Sequence, residues 1–145
     1  MAFTSTANLD TYRNNLDILG DKNPSLKNYI DELQAGSANY DLVNGTTQQA
    51  AGNASYIPNN ASLVTITLPA TSAVGQRLTV VGNGAGGWRI AQNAGQQINK
   101  SATATTAGTG GSLSSANRYD TAHLVCTVAN TTWVFSSGNG AHVLA

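Results

Sequence analysis

The residues able to do chemistry are few, and most stand alone. Gly82-Asn83-Gly84-Ala85-Gly86-Gly87 follows a β-like run and matches G-x-G-x-x-G. In a dinucleotide-binding fold such glycines open a helix whose N-terminus meets a pyrophosphate. Here Trp88-Arg89-Ile90-Ala91-Gln92 follows with strand-type alternation, and no acid lies about 20 residues on to hold a ribose. The expected role is a glycine hairpin turn. Hydrolysis by paired carboxylates needs two acids, and residues 43–145 hold only Asp120. Asp120 and His123, with Ser114 or Ser115 nearby, supply the residue types of a Ser-His-Asp set. No G-x-S-x-G elbow accompanies them, and His123 is expected to be a packed or rim residue. His123, His142 and Cys126 are the strongest soft or borderline metal ligands, but they lack C-x-x-C or H-x-x-x-H spacing. Cys126 sits among Val125, Thr127 and Val128 and is expected to be a buried, inert thiol. The expectation is a protein without enzymatic activity, cofactor or metal.

Aromatic residues are the remaining candidates. Trp88 and Trp133 lie in alternating runs and are expected in the core. Tyr119, in a loop beside Arg118, is the more exposed one. Arg118 and Tyr119 form a candidate glycan contact, because an aromatic face suits a sugar ring.

The elements that must position these groups follow from composition and pattern. The chain has 145 residues, 7 basic and 7 acidic, with no net charge. That size suits one domain, or one domain with an appendage. Zero net charge excludes a generic nucleic-acid binder, which needs a basic excess. No apolar run approaches the roughly 20 residues of a membrane span. The N-terminus lacks the features of a signal peptide. Ala, Gly, Ser, Thr and Asn make up 81 residues, so large core side chains are scarce. A thin core is commonly remedied by burial against copies of the same chain. Homo-oligomerisation is therefore expected, with the order not readable from composition.

Charge divides the chain. Residues 1–42 carry six acids and three bases, and residues 43–145 carry four bases and one acid. Leu9, Tyr12, Leu16 and Leu19 recur at helical spacing between Asn8, a possible cap, and Gly20. Leu26, Ile30 and Leu33 form a second apolar face after Asn23-Pro24, which ends at Gly36. The spacing predicts two short helices, and these seven residues are the expected docking or oligomer contacts. Residues 1–43 are thus read as a helical docking segment. The polar run 44–60 is read as a linker, or as an extended segment along a surface. Residues 61–145 are read as a β-rich, oligomerising domain.

In that last region strands are predicted at 63–68, 77–81, 88–92, 97–98, 122–128 and 132–136, with a short one after Gly140. Residues 101–117, nearly free of large side chains, are read as a long loop. Strands this close, without helices between them, predict a mainly β fold: an antiparallel β-sandwich or barrel-like domain behind a short N-terminal helical segment.

Residues 56–138 contain a connected set of pieces. They are Tyr56-Ile57-Pro58-Asn59-Asn60, Thr67-Leu68-Pro69, Val74-Gly75, Gly82 to Ile90, Gln92-Asn93-Ala94-Gly95-Gln96 and Thr105-Thr106-Ala107-Gly108. His123-Leu124-Val125-Cys126 and Thr132-Trp133-Val134-Phe135-Ser136 complete the set. This pattern resembles the β domain of tailed-bacteriophage virion proteins, namely capsid cement (decoration) proteins and tail fibre ends. The resemblance implies a β-rich homotrimer on the virion surface, assembled in the host cytoplasm, and it carries no catalytic residues. The short chain favours a cement protein bound to the phage major capsid protein. The alternative is a short tail fibre or receptor-binding protein that recognises host surface glycans.

Overall fold

The computed structural model describes residues 39–145. Leu9, Tyr12, Leu16, Leu19, Leu26, Ile30 and Leu33, and the helices expected there, lie outside the described residues. Among the described residues there are twelve strands and no helix. They are β1 (Tyr40–Val43), β2 (Thr47–Gln49), β3 (Ala54–Pro58), β4 (Val64–Thr67), β5 (Arg77–Val81) and β6 (Trp88–Ala91). β7 (Gln97–Lys100), β8 (Thr103–Ala104), β9 (Ser112–Ser115), β10 (Thr121–Val128), β11 (Thr132–Ser137) and β12 (His142–Leu144) follow.

Two sheets form, ordered β1-β3-β5-β10-β11-β7-β8 and β12-β9-β6-β4-β2. From β1 to β7 the chain alternates between them. Successive strands within each sheet are therefore parallel: β1 with β3, β3 with β5, β2 with β4 and β4 with β6. This is a coiled winding. Ala54 pairs with Leu78 and Val64 with Trp88, the same offset of 24 residues in both sheets. Antiparallel pairing enters later, through β10 with β5 and β11, and β9 with β6 and β12. The expected mainly β architecture is present. The antiparallel arrangement is not, because both sheets are mixed.

Alternation selects the core. Val64 and Ile66 of β4, Leu78 and Val80 of β5, and Trp88 and Ile90 of β6 point inward, while Thr65, Thr79 and Arg89 point outward. Because parallel neighbours stack in register, inward residues form columns, such as Ile66 beside Ile90 and Tyr56 beside Val80. Side chains of both sheets share one cluster, which includes Tyr56, Trp88, Ile98, Leu113, Leu124, Cys126 and Trp133. Both tryptophans are fully buried, as expected, and so is the Cys126 thiol.

Four regions differ from the sequence reading. Tyr40–Val43, placed at the end of the helical segment 1–43, form β1 and pair with β3. The polar run 44–60 holds β2 and β3, and its Tyr56 is buried. The loop predicted over 101–117 holds β8 and β9. Small residues suffice there because buried amides tie the segment down. Gln92 Nε2 donates to the carbonyls of Gln96, Thr106 and Gly108 at 2.6, 3.1 and 3.1 Å, and its Oε1 accepts from the Thr105 hydroxyl. Finally, Gly82 to Gly87 is not a hairpin turn, since β5 and β6 belong to different sheets. It is an arch crossing between sheets, laid directly on the equivalent arch one coil earlier. Gly84 N and Gly86 N donate to the carbonyls of Pro58 and Asn60 at 2.8 and 3.0 Å.

A ladder of asparagines runs up these arches. Asn59 Nδ2 donates to Asn44 Oδ1, and Asn83 Nδ2 donates to Asn59 Oδ1, both at 2.8 Å. Repeated amides at one position of a parallel stack satisfy each other's donors and acceptors, as in other in-register parallel assemblies.

Candidate functional site

The groups considered for catalysis are held apart by structural work. The buried Asp120 carboxylate accepts from the backbone N–H groups of Ala116 and Asn117 at 2.9 and 2.8 Å. It thereby closes the turn ahead of β10. His123 Nδ1 lies 3.1 Å from the Thr79 hydroxyl, on the outward side of the seven-stranded sheet. Ser115 Oγ accepts from the Trp88 N–H at 2.9 Å, which joins β9 to the start of β6. Asp120, His123 and Ser115 thus share no hydrogen bond with one another. Among the described residues no three His, Cys, Asp or Glu side chains gather as a metal site would require. No helix there is long and apolar enough to cross a membrane.

The sequence reading missed one polar cluster. His142, on edge strand β12 of the five-stranded sheet, reaches across to the other sheet. Its Nε2 lies 2.9 Å from the Thr121 carbonyl, and its Nδ1 lies 3.2 Å from Lys100 Nζ. A carbonyl only accepts and an ammonium only donates, so the ring is neutral with its proton on Nε2. The ring packs against Phe135 at 4.9 Å and Trp88 at 5.7 Å between centroids, and Lys100 Nζ lies 4.9 Å from the Phe135 centroid. Lys100 and His142 are 42 positions apart, so spacing gave no signal of their meeting.

Burial is the largest influence on His142 and lowers its pKa below 6.5. The Thr121 carbonyl acts in the opposite sense, Lys100 lowers it further, and Asp120 raises it. The folded protein therefore holds fewer protons here than the unfolded chain. The resulting stability is present above pH 6.5 and is lost as the pH falls through the folded pKa. Wild-type protein should lose more of its urea midpoint between about pH 7.5 and about pH 5 than His142→Gln, which keeps a donor and an acceptor but does not titrate. Equal losses in the two proteins would place the acid sensitivity elsewhere.

The residues expected at the surface are there. Tyr119 is 62% exposed, and the Arg118 guanidinium carbon stands 4.9 Å from its ring centroid. Arg118 Nε donates to the Asn83 carbonyl at 2.6 Å. The pair is thus anchored to the glycine arch, with its position fixed by the backbone of residues 82–87. Such a preset aromatic and guanidinium can stack on a ring and donate to its oxygens. No family model matches the chain, and no curated protein matches it.

Proposed function

We propose that this protein is a structural component of a bacteriophage virion, a capsid cement protein bound to the head shell as a surface homotrimer. The resemblance over residues 56–138 supports this reading. The observation that carries it is the surface of the two-sheet unit. Tyr40, Leu42, Leu63, Val74, Tyr119, Val128 and Val143 are exposed, on a part of the chain with only five charges after residue 42. A weakly charged surface with apolar side chains is suited to burial between subunits. In this reading the two sheets form a sandwich and the chain ahead of β1 is helical. Leu9, Tyr12, Leu16, Leu19, Leu26, Ile30 and Leu33 provide the contact with the major capsid protein. The action is shared interface area, without bond-making chemistry, cofactor or nucleic acid.

Shells carrying the protein should withstand a higher temperature or a stronger osmotic shock than shells lacking it. Identical rupture points would overturn the proposal. The exposed, anchored Arg118–Tyr119 pair favours the second reading, a short tail fibre that recognises host glycans. Counting copies per particle in the same preparations separates the two. Hundreds of copies fit cement, whereas a few or a few tens fit a fibre.

A further inference from the structure

The chain contains three Asn-Gly pairs: Asn44-Gly45, Asn83-Gly84 and Asn139-Gly140. Glycine lacks the Cβ that would hinder its amide nitrogen from approaching the preceding side chain. In that approach the glycine nitrogen bonds to the asparagine Cγ and gives up its proton. The Cγ–Nδ2 bond breaks, and the nitrogen leaves as ammonia. Water then opens the resulting succinimide at either carbonyl, which yields aspartate or isoaspartate.

The fold treats the three pairs differently. At Asn83-Gly84 the attacking group is occupied, because Gly84 is buried and its N–H donates to the Pro58 carbonyl at 2.8 Å. The Asn83 side-chain amide is held as a donor to Asn59 Oδ1, and the Asn83 main-chain carbonyl accepts from Arg118 Nε. At Asn44-Gly45 both residues are exposed, and Gly45 N–H makes no hydrogen bond among the described residues. There Asn59 Nδ2 donates to Asn44 Oδ1 at 2.8 Å. That donor stands where negative charge develops during attack on Cγ. At Asn139-Gly140 both residues are exposed, and neither the Asn139 side chain nor Gly140 N–H is hydrogen-bonded among the described residues.

We propose that Asn44 and Asn139 are sites of spontaneous deamidation in the folded protein, and that the coil protects Asn83. Each event adds one negative charge to a chain with none in excess. Isoaspartate at 139 also lengthens the backbone where Asn139 N–H and carbonyl bond to Thr121 at 2.8 and 2.9 Å.

Peptide mapping of aged protein tests this, since trypsin leaves the three asparagines on separate peptides, 28–77, 78–89 and 119–145. Folded protein kept at neutral pH should acquire acid at 44 and 139 while 83 stays an amide. Unfolding in urea should bring Asn83 up to the rate of the others. A Cβ at Gly45 meets only the Thr47 carbonyl, at 3.9 Å. Gly45→Ala should therefore fold normally, slow conversion at 44 severalfold and leave 139 unchanged. Conversion of Asn83 in the folded protein as fast as the two exposed sites would overturn the proposal. So would intact Asn44 and Asn139 in samples whose urea-treated Asn83 has converted.

Discussion

Replacement of Gly86 by alanine is expected to unfold the two-sheet unit or bring it close to unfolding. A Cβ on Gly86 would fall on the carbonyl carbon and oxygen of Ser62, and one on Gly84 would fall on the backbone of Asn60. Both obstacles are main chain, in the arch one coil earlier. Relief therefore requires separating the two arches, not turning a side chain. Separation lengthens the bonds from Gly84 to Pro58 and from Gly86 to Asn60, and it pulls on the Asn59–Asn83 rung. Overpacking of a well-filled site typically costs about 1–3 kcal/mol and occasionally more. A clash between two backbones belongs at or above the top of that range. Gly110→Ala is the control, since a Cβ there meets nothing within 4 Å. Its urea midpoint should match wild type, while those of Gly84→Ala and Gly86→Ala fall sharply. Midpoints indistinguishable across all three would mean that the arches are not in contact.

Trp88→Ala should be nearly as damaging. The side chain is fully buried beside the core column of β4 and β6, and truncating a buried Trp costs about 3–5 kcal/mol. Its indole N–H also donates to the Asp120 carbonyl at 2.8 Å, which ties β6 to the turn entering β10. Phenylalanine separates the two contributions. Trp88→Phe keeps most of the apolar area but loses that bond. The equally buried Trp133 has an indole N–H without a partner among the described residues. Its replacement by Phe forfeits no hydrogen bond. Trp88→Phe should therefore be the costlier by about 1 kcal/mol, the net worth of a typical hydrogen bond. A thermal melt of the two variants gives the comparison, and a less stable Trp133→Phe would refute it.

Individual strands were legible in the sequence wherever large and small residues alternate. β4, β5 and β6 carry buried Val, Ile, Leu or Trp at every second position, β10 buries Ala122, Leu124 and Cys126 in the same alternation, and β11 buries Trp133. Their partners were not legible, because alternation reports which face is buried and is silent on the direction of the neighbouring strand. The parallel winding did leave a trace. Asn59, Ala61 and Ile66 recur as Asn83, Ala85 and Ile90, each 24 positions later, and a search for internal repeats would have met it. β8 and β9 were missed because Thr103-Ala104 and Ser112-Leu113-Ser114-Ser115 have little bulk. Their order comes from Gln92 and Thr105, contacts invisible to local pattern. The candidate site divided the same way. The exposure of Tyr119 could be read from its loop, whereas the pairing of His142 with Lys100 depends on two sheets meeting.

The winding fixes where the strands lie and leaves the length of chain between them free: β3 follows β1 by 15 positions and β4 follows β2 by 18, whereas β5 follows β3 and β6 follows β4 by 24. The Asn44–Asn59 and Asn59–Asn83 rungs are equally short although the first spans 15 positions and the second 24, so residues added between strands leave the rungs in place, whereas a one-residue slip within β6 would turn its inward column outward. An insertion or loss of one whole coil keeps every rung, every column and every arch in register. Length variants of this architecture should therefore differ by residues between strands or by complete coils, with β10 and β11 pairing alongside whichever coil comes last.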